Sequence, residues 1–200
     1  QDEETLAAWI AGARDAGVVA FDTETTSLNA MRAQLVGYSL SYAPGRACYV
    51  PVGHVEPEAE VEELDLLGDP VADTEKTSEK ANGKSNGALK QIDLARALKP
   101  LKDLLEDPSV LKVAHNAKYD LLVLARAVEK HLPDEAPLAP VAIDDTMLLS
   151  YVLDAGRNKH GLDDLAFRHL ERENIKFEAV VGKGKNKITF AEVPLDKALD

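Results

Sequence analysis

The sequence predicts an α/β fold, a mixed sheet flanked by helices. Three observations carry this. The apolar stretch VVAF (18–21) runs straight into the carboxylates of FDTE. Two alternating stretches follow, QLVGYSLSYAPG and RACYVPVGH, separated by a Pro-Gly turn, so a three-strand meander comes first. Further along, helical and strand-like segments alternate, which lays helices against the faces of a sheet.

Taken in order, ETLAAWIAGARDA (4–16) has the spacing of an amphipathic helix, closed by Gly17. Residues 18–22 read as a buried strand, and the two further strands follow. From Ala72 to Ala88 the chain has no large apolar side chain. Such a stretch cannot bury enough surface to offset its ordering entropy, so a flexible insertion is expected at about 56–91. DLARALKPLKDLLED then reads as a helix, VLKVAH (110–115) as a strand and AKYDLLVLARAVEKHL as a helix. PVAI is a short strand, and DDTMLLSYVLDAG and GLDDLAFRHLERE are helices. IKFEAVVGKGKNKITFAEV is an irregular basic segment, and PLDKALD starts a last helix with Pro194 in its first turn. There is no internal repeat.

With 200 residues, 45% hydrophobic and 29% charged, residues 1–200 are expected to form one domain. No apolar run approaches the roughly 20 residues of a membrane helix, so no membrane partner is expected. No signal peptide opens the chain. The lone Cys48 excludes an internal disulfide and fits a reducing cytosol. The formal net charge of −12 makes the chain a poor holder of nucleic acid by bulk electrostatics. Nucleic-acid chemistry here would need local contacts, bound cations or a basic partner.

Asp22 and Glu24 lie two apart on a strand and point to the same side, with Thr23 pointing away. Two carboxylates this close raise each other's pKa unless a cation or donor neutralises them. A hard divalent cation, Mg²⁺ or Mn²⁺, suits them, and so does a solvated strand end. A second junction of the same kind is VLKVAH-NAKYD, where Asp120 falls in the first turns of a helix. A carboxylate there can face the sheet edge where Asp22 and Glu24 end. It also suits the helix dipole, as Asn116 suits a cap.

Together FDTETTSL and NAKYD resemble the first two motifs of the DEDD, or DnaQ-like, 3′–5′ exonucleases. LVGYSLSYAPGRACYVPVGH, LKVAHNAKYDLLVLA, DDTMLLSYVLDAGRNKHGLDDLA and ITFAEV further resemble, in order, the proofreading domain of bacterial DNA polymerase I. The resemblance implies an RNase H-like fold and hydrolysis of phosphodiesters from a 3′ end of DNA, releasing nucleoside monophosphates. It implies two divalent cations, one activating a water and one stabilising the leaving 3′ oxygen. Asp22 would bridge both, Glu24 would bind the cation beside the nucleophile, and Asp120 would hold the second. The implied partners are a single-stranded 3′ end and a polymerase domain of the same parent chain, in a bacterial cytoplasm near the nucleoid.

The resemblance also places Thr25, Leu28 and Asn116 near the terminal nucleotides, with Leu28 as an apolar wedge. Tyr119 suits base stacking or the core, and Lys118 a phosphate or solvent. The family's third motif, a Tyr followed four residues later by Asp, is absent from this sequence. The chain is therefore expected to stop just before it, with three of the four metal carboxylates and weak activity. His160 and Asp164 have the right spacing but fall in a segment that precedes the third motif. Asp144 and Asp145 suit capping, with an outer role at the site as the alternative. GKGKNK suits a solvated loop or a DNA contact. An RNase D-like exoribonuclease and a non-catalytic scaffold are the competing functions.

Overall fold

The computed structural model describes residues 2–55, 89–184 and 187–198. Helix α1 (Glu3–Ala16) starts on Asp2, whose carboxylate accepts from the Thr5 N–H at 2.8 Å, and ends on Gly17 in the left-handed region. Its face of Leu6, Ile10 and Ala13 is buried. Strands β1 (Val18–Thr25), β2 (Leu35–Ala43) and β3 (Arg46–Pro51) form the expected antiparallel meander.

The chain resumes with α2 (Leu94–Leu105), β4 (Leu111–Ala114) and α3 (Ala117–His131). Strand β5 (Ile143–Asp145), α4 (Thr146–Asp154) and α5 (Leu162–Leu170) follow. The expected strand at PVAI thus lies slightly later and ends on Asp145. The segment expected to be irregular contains the short helix α6 (Phe177–Val181), and α7 (Leu195–Ala198) follows a 3₁₀ turn at Phe190–Glu192. The sheet order is β3-β2-β1-β4-β5, with β4 parallel to β1 and β5 parallel to β4.

Val19, Phe21 and Thr23 alternate inward along β1, into a core shared with Leu98, Leu101 and Leu104 of α2 and Val123 and Leu124 of α3. Tyr38 is fully buried and donates its hydroxyl to the Ala97 carbonyl at 3.0 Å, tying β2 to α2. Val36, Val181, Phe190, Ala191 and Val193 form a second apolar cluster.

Most of the expected insertion lies outside the described residues, but both of its flanks are described. The His54 N–H donates to Gln91 Oε1 at 3.1 Å, and Gln91 Nε2 donates to the His54 carbonyl at 2.9 Å. The buried His54 ring also bridges the Tyr49 hydroxyl (2.7 Å) and the Val193 carbonyl (3.0 Å).

Gly37 has a steric role. It pairs with Glu24 across the β1–β2 ladder, and a Cβ there would lie 2.1 Å from the Tyr49 hydroxyl oxygen. Only glycine lets the Tyr49 ring lie flat over the strand. Gly37→Ala is expected to displace Tyr49 and lower stability by about 1–3 kcal/mol. Denaturant unfolding with Tyr49→Phe as the reference variant checks this.

Candidate active site

The site begins where β4 stops. The β1–β4 ladder ends at Ala20 paired with Val113, yet β1 runs on to Thr25. Among the described residues the edge of β1 beyond that point has no strand partner on the β4 side. Asp120, from the first turn of α3, takes that place. Its Oδ1 accepts from the Thr23 N–H at 3.1 Å and from the Thr23 hydroxyl at 2.5 Å. Both groups are buried, so the pairing avoids two unsatisfied donors.

This brings the three expected acids together. Asp22 and Glu24 flank Thr23, and Asp120 meets the strand between them. Burial raises the Glu24 carboxyl to about 7, with the Asp22 and Asp120 charges adding to it. Burial raises Asp120 to about 6, and Asp22 adds while the Thr23 bonds oppose. Burial of its surroundings also raises Asp22, although its side chain stays open to solvent at the mouth of the site.

A second carboxylate fixes the helix that carries Asp120. Asp145 accepts from the Asn116 and Ala117 N–H groups at 3.1 and 2.9 Å, at the start of α3. It also accepts from Met147 and Leu148 at 2.9 and 3.3 Å, at the start of its own α4. One side chain thus caps two helices. Burial pushes its pKa up, but the four N–H donors outweigh this and hold it below the ordinary carboxylate value. The sequence pointed to Asp145 as the cap of α4 but not of α3. It offered Asn116 for α3, whose side chain makes no capping bond and whose backbone is left-handed at φ 63°. His115 was missed as well. Its Nδ1 meets Thr146 Oγ1 at 2.9 Å, while among the described residues its buried Nε2 has no partner. Its place directly before NAKYD was the available signal.

Among the residues expected near the substrate, Leu28 is 98% exposed on the loop after β1. The Tyr119 hydroxyl donates to the Ser27 carbonyl at 2.5 Å and meets Thr25 Oγ1 at 2.5 Å. Tyr119 is half-buried against the core and clamps this loop. Lys118 and Asn116 are exposed at the helix start. His160 bonds to Ser150 Oγ at 2.9 Å and packs on Tyr151. Asp164 is exposed on α5, and Asp144 on β5.

The chemistry of the donors fits hard divalent cations: three carboxylates whose mutual repulsion a cation would relieve. The Nε2 of His115 is a further orphaned polar atom beside Asp22. Among the described residues no three His, Cys, Asp or Glu side chains stand in ligating geometry.

A mixed sheet of order β3-β2-β1-β4-β5, with two acids on its central strand and a third on the helix that meets that strand, is the RNase H-like fold of the DnaQ-like exonucleases. Structures of that class share the fold. Escherichia coli RNase D superposes with a TM-score of 0.51 at 19% identity, over 88% of this chain and 34% of that one. Brucella melitensis NrnC with bound Mg²⁺ superposes with a TM-score of 0.50 at 22% identity, over 82% and 58%. The sequence model of the 3′-5′ exonuclease family matches residues 1–200. DNA polymerase I of Rhizobium leguminosarum is 44% identical over 99% of this chain. The chain belongs to the 3′-5′ exonuclease family of bacterial DNA polymerase I. It spans 17% of the Rhizobium protein's length.

Two outcomes are expected from the site's electrostatics. An acid whose folded pKa is raised binds its proton more tightly when folded. Without divalent cations, stability should therefore fall as pH rises from the ordinary carboxylate range to about 7. Glu24→Gln should flatten that fall and stabilise the protein above it by on the order of 1–2 kcal/mol, read by thermal melts across pH. Asp145→Ala removes two caps and should cost about 2 kcal/mol. Hydrogen exchange should quicken at the Asn116 and Ala117 amides.

Proposed function

We propose that Asp22, Glu24 and Asp120 form the centre at which the 3′-terminal phosphodiester of a DNA strand is hydrolysed, as in proofreading. The observation that carries this is the convergence of three acids: Asp22 and Glu24 flank Thr23 on β1, and Asp120 of α3 bonds to Thr23 between them, where burial raises the pKa of all three. Such clustering destabilises a metal-free protein and serves cation binding. Asp22, Glu24 and Asp120 would hold two divalent cations, Mg²⁺ or Mn²⁺. The cations would polarise the phosphate and favour hydroxide as nucleophile. In the reaction a water oxygen bonds to phosphorus, the bond to the 3′ oxygen breaks, and that oxygen takes a proton.

The remaining residues position the strand. Leu28 stands free to wedge against a terminal base, and Tyr119 and Thr25 hold its loop in place. Asn116 and Lys118 present polar groups at the start of α3. The proposed setting is a polymerase polypeptide in the bacterial cytoplasm, where a neighbouring polymerase domain delivers frayed 3′ ends. Residues 1–200 form the exonuclease unit.

The test is degradation of a 5′-labelled single-stranded DNA with Mn²⁺, with EDTA, and with Asp22→Ala. The expected result is metal-dependent shortening from the 3′ end, lowered at least about 100-fold by the substitution, more than loss of an outer partner costs. Mn²⁺ titration by calorimetry gives a second readout, with binding abolished in Asp22→Ala. Shortening that persists in Asp22→Ala would refute the assignment. The fold is shared with RNase D, so the matched RNA strand belongs in the same assay.

A further inference from the structure

A cleft of about 300 Å³ opens beside the loop after β1, between that loop and the second half of α3. Arg32, Arg126, Lys130 and His131 line it, with the polar side chains of Thr26 and Gln34 and a floor that includes Val123 and Ala127. Among the described residues no aspartate or glutamate lines it, in a chain with 35 acidic and 23 basic residues. Among the described residues none of its cations is paired with a carboxylate, so the cleft keeps a local excess of positive charge. Unpaired cations gathered in a concave site with hydrogen-bonding neighbours suit an anion, and guanidinium groups suit phosphate oxygens in particular.

Its position says which phosphate. Asp120, Val123, Ala127 and Lys130 follow one face of α3, so the cleft continues the side of the helix that carries the candidate catalytic acid. At about 1.5 Å per residue, Arg126 lies about 9 Å and Lys130 about 15 Å along the axis from Asp120. Thr26 links the cleft directly to the loop of Leu28. Such an offset is too far for the scissile phosphate and suits those of nucleotides upstream of the 3′ end.

We propose that this cleft binds backbone phosphates of the nucleic-acid strand whose 3′ end lies at Asp22, Glu24 and Asp120. The proposal rests on the nuclease assignment and adds to it a second point of attachment, set back from the reacting bond. It also supplies local positive charge to a chain whose overall charge repels nucleic acid.

The experiment measures binding apart from hydrolysis. Fluorescence anisotropy in EDTA, in an Asp22→Ala background, compares the parent with Arg126→Glu plus Lys130→Glu over a salt series. Both positions are exposed on α3, and melting curves confirm folding. Arg126→Gln plus Lys130→Gln is the milder pair if the reversal unfolds. The expected result is about a tenfold loss of affinity for a single-stranded decanucleotide. The slope of log affinity against log salt should shrink by about 0.7 for each phosphate that is no longer neutralised. A dinucleotide, too short to reach from the acids, should bind both proteins alike, and Arg172→Glu outside the cleft should change little.

An unchanged affinity and slope for the decanucleotide would overturn the proposal. So would an equal loss with Arg172→Glu, which would show only a general charge effect. Inorganic phosphate enters as competitor. Phosphate bound through Arg126 and Lys130 without any effect of the pair on the decanucleotide would make the cleft a free-phosphate site and overturn the strand assignment. Cleft-dependent strand binding together with shortening that persists in Asp22→Ala would leave this proposal standing and remove the catalytic one.

Discussion

β1 outruns its parallel neighbour, and the polar groups of its exposed edge must find partners elsewhere. The protein meets this need with Asp120, which supplies one oxygen to both donors of Thr23. A carboxylate replaces a strand. The choice holds α3 against the sheet, but it also sets a third negative charge beside Asp22 and Glu24. Local satisfaction of hydrogen bonds and local electrostatic strain thus come from the same contact. A neutral side chain at Asp120 would remove the repulsion and also one of the carboxylates proposed to hold a cation.

Other parts of the site limit how far this strain can relax. Asp145 fixes the first turn of α3 from β5, so the helix cannot easily slide away from β1. Tyr119, one residue before Asp120, ties the same turn to the loop after β1. Tyr49 lies over Gly37 beside Glu24, and both burial and the Glu24 charge raise its hydroxyl pKa. The acids are therefore crowded by neighbours that are themselves anchored, and a bound cation becomes the simplest relief.

Much of this was legible in the sequence because it rests on short-range pattern. Alternation gave the meander, helical spacing gave α1 and α3, and a two-residue separation put Asp22 and Glu24 side by side. The meeting of Asp120 with the strand was visible only as two similar apolar-to-acidic junctions. Contacts that depend on how elements are stacked were harder. Asp145 looked like a helix start and was one, but its second helix lies 28 residues back in the chain. Asn116 had the right type for a cap and the wrong backbone. The basic cleft joins Arg32, before β2, to Arg126 and Lys130 on α3, and no window of sequence contains both. Its one local trace is the run of Arg126, Lys130 and His131 along a single helix.

The paired hydrogen bonds between His54 and Gln91 also bear on how this fold changes over time. They hold the two ends of the intervening chain together from outside it, while the His54 ring anchors that junction to Tyr49 and Val193. The sheet and its acids then do not depend on the length of what lies between. Closing a longer loop adds only about 0.6 kcal/mol per doubling of its length. This junction is accordingly a place where descendants of the sequence can gain or lose whole segments, or accept a foreign domain, while the geometry around Asp22, Glu24 and Asp120 stays the same.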